Sequence, residues 1–177
     1  MAVPVLFSQH YLLKNLVAAS TTFQEEIGVN ASFVGTATGK AEAQLKVHRV
    51  EGRNKHHAPP RAIVRFNSSI TRDEGVSFFV DNSELYLLID LVRTQWADTP
   101  TGFSAQEEEV WPKHVNIIND IISLQGTGED ESDQTYLKIE SISCESFDYV
   151  DAAETAEEFG MADNKILWYS AWEITTI

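Results

Sequence analysis

A single cysteine, Cys144, in 177 residues excludes an internal disulfide. No Cys/His spacing suits a structural zinc site either, so the chain fits a reducing compartment. Free cysteines are usually small apolar packing groups, and Cys144 is expected to pack in a strand. Basic charge is scarce: 13 Lys and Arg face 27 Asp and Glu, for a net charge of -14. A surface of that sign repels a duplex, which argues against a protein whose affinity comes from gripping phosphates. Long apolar runs are missing too. The longest, such as Leu85 to Leu91, are interrupted and fall far short of the ~20 residues that cross a bilayer, so no membrane span is expected. The start, Met1-Ala-Val-Pro-Val-Leu-Phe7, lacks the basic region, apolar stretch and small-residue cleavage site of a secretory signal, and export by that route is not expected.

What is present reads as one domain over residues 1–177, a length that can bury a core without a staple. Ser8 can cap an amphipathic helix over about 9–27 with Tyr11, Leu12, Leu16 and Val17 on one face, interrupted near Ser20-Thr-Thr-Phe23 and stopped at Gly28. Thr22 and Glu25 have the spacing of a capping box for a second turn of helix. A short strand is predicted over 30–36, a turn at Gly39, and a half-buried strand over 43–50, where Ala43, Leu45 and Val47 alternate with Gln44, Lys46 and His48. After the polar stretch 51–60, Arg61 to Phe66 resumes the alternation. Leu85 to Val92 is apolar on both parities except Asp90, the pattern of a central strand.

Ser104-Ala-Gln-Glu107 has capping-box spacing and opens a helix predicted to reach Leu124. Pro112 should kink that helix or mark its first turn, and Ile117, Ile118, Ile121 and Ile122 should supply its sheet-facing contacts. Residues 126–133 read as a solvated acidic loop. Strand pattern returns from Tyr136 to Cys144 and continues through Phe147-Asp-Tyr149. One or two helical turns fit Asp151 to Phe159, and a closing strand from Lys165 carries Ile166, Trp168, Ser170, Trp172 and Ile174 on one face. The sum is an α+β fold: a mixed, mainly antiparallel sheet with two principal helices against it.

No nucleophile elbow, zinc-protease helix or kinase signature occurs. Gly35-Thr-Ala-Thr-Gly39-Lys40 has one residue too few between its glycines for a phosphate loop, and Ala41 stands where a hydroxyl should. His56 and His57 are adjacent, so their side chains diverge, and no carboxylate follows at ligand spacing. The runs Glu107-Glu108-Glu109 and Glu157-Glu158 lie along helices and face water instead of converging on a cleft. His114 is expected at the edge of its helix face, in a packing role. With no catalytic, cofactor or metal residue to assign, the chain reads as a non-enzyme. Its candidate interface residues are Asp90, the one carboxylate in an apolar strand; Trp172, one of four tryptophans; and Lys46, Arg49 and Arg53. The last three belong to a short basic cluster that is a solvated loop or a contact for an acidic partner or nucleic acid.

The order of elements resembles the tail-terminator proteins of tailed phages. The resemblance rests on Pro60-Arg-Ala-Ile-Val-Arg-Phe66, then Ser83-Glu-Leu-Tyr-Leu-Leu-Ile-Asp-Leu-Val92, the helix around Trp111 to Leu124, Phe147-Asp-Tyr149 and Leu167-Trp-Tyr-Ser-Ala-Trp-Glu-Ile174. It implies a six-membered ring of this chain in a virion, assembled in the host cytoplasm. Such a ring caps the tail tube, binds the tail-tube protein and the head–tail connector, and lets DNA pass without tight binding. Alternatives are another neck or tail component, a connector or tube subunit, or a small-molecule-binding α+β domain whose pocket would gather Asp90, His114 or the His56–His57 pair.

Overall fold

The computed structural model describes residues 5–49, 58–67, 84–99, 101–127 and 137–176. The loop expected at 126–133 is therefore described only at Gly126 and Thr127, and Arg53, His56 and His57 lie outside the described residues. In chain order the elements are α1 (Val5–Ala19), α2 (Thr21–Glu26), α3 (Ala37–Gln44), β1 (Val47–His48), β2 (Arg61–Asn67), β3 (Glu84–Thr94), α4 (Gly102–Leu124), β4 (Ile139–Val150), α5 (Ala152–Phe159) and β5 (Lys165–Thr176). The strands form one sheet in the order β1-β2-β3-β5-β4, antiparallel at every neighbour except the parallel β1–β2 pair. The α+β architecture with a mainly antiparallel sheet is as expected, and the two long helices are α1 and α4.

Register explains which side of the sheet is covered. Leu85, Leu87 and Leu91 of β3 stand opposite Ile174, Trp172 and Trp168 of β5, and Ile89 stands opposite Ser170. All of these residues are buried. Successive strand side chains alternate between faces, so this set lines one face. Against it lies the helical layer: Leu12, Leu13, Leu16 and Val17 of α1 and Val110, Ile117, Ile118 and Ile121 of α4 share the same core. Ile122, expected among the contacts, is 44% exposed. It stands one residue past Ile121, about 100° round a helix of 3.6 residues per turn, and so leaves the buried stripe.

The break after α1 falls where expected, but the cap is Ser20, not Thr22. Ser20 Oγ accepts from Phe23 N at 3.1 Å and donates to Asp120 Oδ2 of α4 at 2.6 Å. Asp120 also accepts from Thr22 N at 3.2 Å. One carboxylate thus satisfies amide and hydroxyl donors at the start of α2 and ties that helix to α4. Helix α4 begins at Gly102, with Thr101 before it and no side-chain cap bond, so the Ser104–Glu107 box is not used. Pro112 lies well inside the 23-residue helix, neither at its first turn nor at its end.

Two strand expectations are overturned near the N-terminus. Residues 31–36 form turns, and 37–44 form α3, leaving only Val47 and His48 as strand. The reason lies in small residues. Gly39 and Ala43, four apart, are the buried positions of α3, and a Cβ at Gly39 would overlap the Phe33 carbonyl oxygen and stand 2.7 Å from Gln24 Oε1. Glycine there lets the helix close onto the preceding turn, where Gln24 accepts from Gly35 N at 2.8 Å and donates to Ala18 O at 2.8 Å.

Candidate subunit interface

The two ends of the sheet differ in composition. At one end β4 runs 12 residues and contains three acids and no basic residue. Its register against β5 slips at Glu140 and Glu145, which have no Cα partners, so Ser141–Cys144 and Ser146–Val150 are the regular stretches. Ser143, Cys144, Glu145, Ser146, Asp148 and Tyr149 are all exposed. Cys144 is therefore a surface thiol and not the packed apolar group expected; partial burial still pushes its pKa up, opposed by a backbone hydrogen bond from Ser146. Tyr149 sits at the outer margin of an aromatic cluster, 5.2 Å from Trp96 and 5.5 Å from Trp168 between ring centroids. Immediately after β4, Asp151 accepts from Glu154 N at 2.9 Å to cap α5, and Gly160 ends that helix at φ 64°, a left-handed conformation that glycine adopts without strain. Helix α5 adds exposed Glu154 and Glu157 to the same end.

At the other end, β1 is flanked by Lys46 and Arg49. The Arg49 guanidinium carbon lies 4.4 Å from the Tyr11 ring centroid, and Tyr11 is 46% and Leu45 77% exposed. Burial and then Arg49 lower the Lys14 pKa, and the same two causes bring His10 down to about 4. The chain thus carries a cationic, partly apolar edge at β1 and an anionic, partly apolar edge at β4.

The remaining candidate residues lie inside. Asp90 is 7% exposed, and its Oδ2 accepts from Arg61 Nε at 2.7 Å. Burial raises its pKa, with the Arg61 hydrogen bond and charge acting in the opposite direction. Trp172 is 6% exposed, stacks on Trp111 at 5.8 Å and donates from Nε1 to Ser170 Oγ at 2.7 Å. Neither presents its side chain to a partner, because each is consumed by packing or pairing within the fold. The closing strand is held on both sides by β3 and β4.

His114, expected to be partly buried, is fully buried, with Nδ1 2.7 Å from Ser170 Oγ. Ser170 Oγ accepts from Trp172 Nε1 and shares one further hydrogen bond with His114 Nδ1, its direction set by the tautomer of the ring. Burial and then Arg93 hold the His114 pKa at about 3. The Trp172–Ser170–His114 chain resembles a hydrolase pair by residue type, but with all three buried it serves as internal polar packing. Arg93 itself clamps two helices, reaching Glu109 of α4 at 2.9 Å and Glu26 of α2 at 2.8 Å. Burial works against its charge, and the two carboxylates more than offset that, so its pKa is raised. Among the described residues no cluster of three or more His, Cys, Asp or Glu could hold a metal ion, and no helix is long and apolar enough to cross a membrane. No protein-family model matches the chain, and no curated protein matches it.

Proposed function

We propose that this chain is a structural assembly subunit, a tail-terminator-like ring component that caps a phage tail tube and joins the tail to the head connector. The observation that carries the reading is the 12-residue β4 at the margin of the sheet, with an exposed run of backbone and side chains. A strand of that length ending a sheet is a template for pairing, and in an isolated monomer it invites uncontrolled association. A closed homomeric ring occupies such edges in a defined way. The net charge of -14 supports the same reading, since an acidic channel lets DNA slide without retaining it. The order helix, strands, helix, strand pair adds support at the level of pattern, which by itself is a warrant for fold and not for function.

The test is particle-based. Immunodetection should find the protein on purified particles, and deleting its gene should yield particles with tails of abnormal length or heads without joined tails. Normal tail lengths after deletion, with the protein absent from purified particles, would sink the reading. Duplex binding at micromolar or tighter affinity that falls steeply with salt would instead favour nucleic-acid contact by Lys46, Arg49 and the basic residues beyond them.

A further inference from the structure

We propose that copies of this chain associate head to tail, the β4 edge of one protomer adding antiparallel to the β1 edge of the next. The inference deepens the ring reading and takes its biological setting from it, but the pairing is argued from the two edges alone.

Strand direction permits it. With β3 drawn upward, β5 runs down and β4 up on one side, while β2 runs down and β1, parallel to β2, also runs down on the other. A neighbour placed in the same orientation therefore sets an upward β4 beside a downward β1, an antiparallel join that continues the sheet. Because each protomer offers one edge of each kind, the contact is heterologous, and it closes into a ring if a rotation accompanies each step.

Charge selects that join over the alternatives. β4 is anionic through Glu140, Glu145 and Asp148, so two β4 edges laid together repel. The β1 edge is cationic through Lys46 and Arg49, and Arg49 contributes to the depressed pKa of both His10 and Lys14. Arrival of carboxylates offsets the repulsion between Arg49 and Lys14. The apolar parts agree as well, because Tyr149 at one edge and Leu45 and Tyr11 at the other are exposed large side chains that docking would remove from water. The slips at Glu140 and Glu145 confine regular pairing to short stretches. They also suit a partner strand as short as β1, and they guard the edge against open-ended addition.

The experiment uses the full chain and four surface substitutions, read by native mass spectrometry and sedimentation velocity. The wild-type chain is expected to form a closed oligomer. Lys46→Glu with Arg49→Glu, and separately Glu145→Lys with Asp148→Lys, should each weaken assembly at least 10-fold, while circular dichroism melts stay within a few degrees of wild type. The variant carrying all four reversals should assemble again, and an equimolar mixture of the two double variants should form alternating oligomers. Moderate salt should weaken the wild-type assembly by screening. A wild-type chain that stays monomeric at every concentration, a two-fold dimer indifferent to Lys46 and Arg49, or no rescue by the fourfold reversal would overturn the pairing. The arms separate the two proposals. A charge-reversible oligomer from a gene whose deletion leaves tails normal sinks only the terminator reading, whereas abnormal tails complemented by both double variants sink only the pairing.

Discussion

Arg61 and Asp90 are directly opposed residues of β2 and β3, and their side chains close a 2.7 Å ion pair at about one-tenth exposure each. The Arg61 guanidinium carbon also lies 5.1 Å from the Phe159 ring of α5, so the pair draws the short acidic helix toward the sheet face away from α1 and α4. A buried pair of this kind contributes little net stability compared with apolar groups, but removing one partner strands the other. Arg61→Ala is expected to cost about 3–5 kcal/mol. The double variant Arg61→Met with Asp90→Leu should lie within about 1.5 kcal/mol of wild type, as volume-conserving apolar replacement usually does. Urea denaturation of the three proteins checks both. Equal losses in the single and double variants would show that shape, not the uncompensated carboxylate, sets the cost.

The isoleucines of α4 divide by exposure. Ile117 and Ile121 are fully buried and Ile118 is 5% exposed, against 44% for Ile122. Truncating Ile117 or Ile121 to Ala should cost about 2–5 kcal/mol through lost transfer energy and the cavity left behind. Ile122→Ala should cost under about 1 kcal/mol. Denaturant midpoints that fail to separate Ile122 from the other three would contradict the placement of the helix on the sheet.

Gly39 offers a test by sign. In an exposed helix interior, Gly to Ala stabilises by up to about 1 kcal/mol. Here the added Cβ would collide with backbone, the Phe33 carbonyl oxygen, which cannot swing aside as a side chain would. Overpacking is expected to win, and Gly39→Ala should destabilise by about 1–3 kcal/mol. A higher melting temperature for this variant would mean that α3 does not press on the turn before it.

These elements also mark where local pattern sufficed. The alternation from Ile166 to Ile174 and the doubly apolar run from Leu85 to Val92 were legible because one buried face, or two, imposes a period on every residue. The 43–50 alternation misled because Gly39 and Ala43 bury a helix by being small, and small residues leave no hydrophobic stripe to read. Leu45, which a strand would have buried, is 77% exposed. Of the candidate interface residues, Lys46 and Arg49 were legible as a basic run. The free edge at β4 was not legible, because strand order is a long-range property. Nothing in Lys165–Thr176 announces that β3 and β4 hold it on both sides.

His114 supplies the last prediction, in the pH dependence of stability. Its folded-state pKa is about 3 against an ordinary 6.5, chiefly because burial disfavours the imidazolium, with Arg93 adding repulsion. A histidine with a depressed folded pKa takes up its proton in the unfolded state first. Between about pH 6.5 and pH 3 the unfolded chain therefore binds more protons, and stability must rise with pH in that window. The contribution is fully present above pH 6.5 and is lost as the medium is acidified, at up to about 1.4 kcal/mol per pH unit for one proton. His10, lowered to about 4, adds a slope of the same sign, so wild-type decline alone does not identify His114. The informative quantity is the difference between wild type and His114→Gln, which removes the titration while keeping a polar side chain near Ser170. Urea midpoints measured from pH 7 to pH 4 should fall more steeply for wild type, by close to one proton's worth of slope below pH 6. The variant should be less stable than wild type at pH 7 and close part of the gap by pH 4. Parallel curves across that range would mean that His114 charges freely in the folded protein, which is incompatible with a fully buried ring bonded to Ser170.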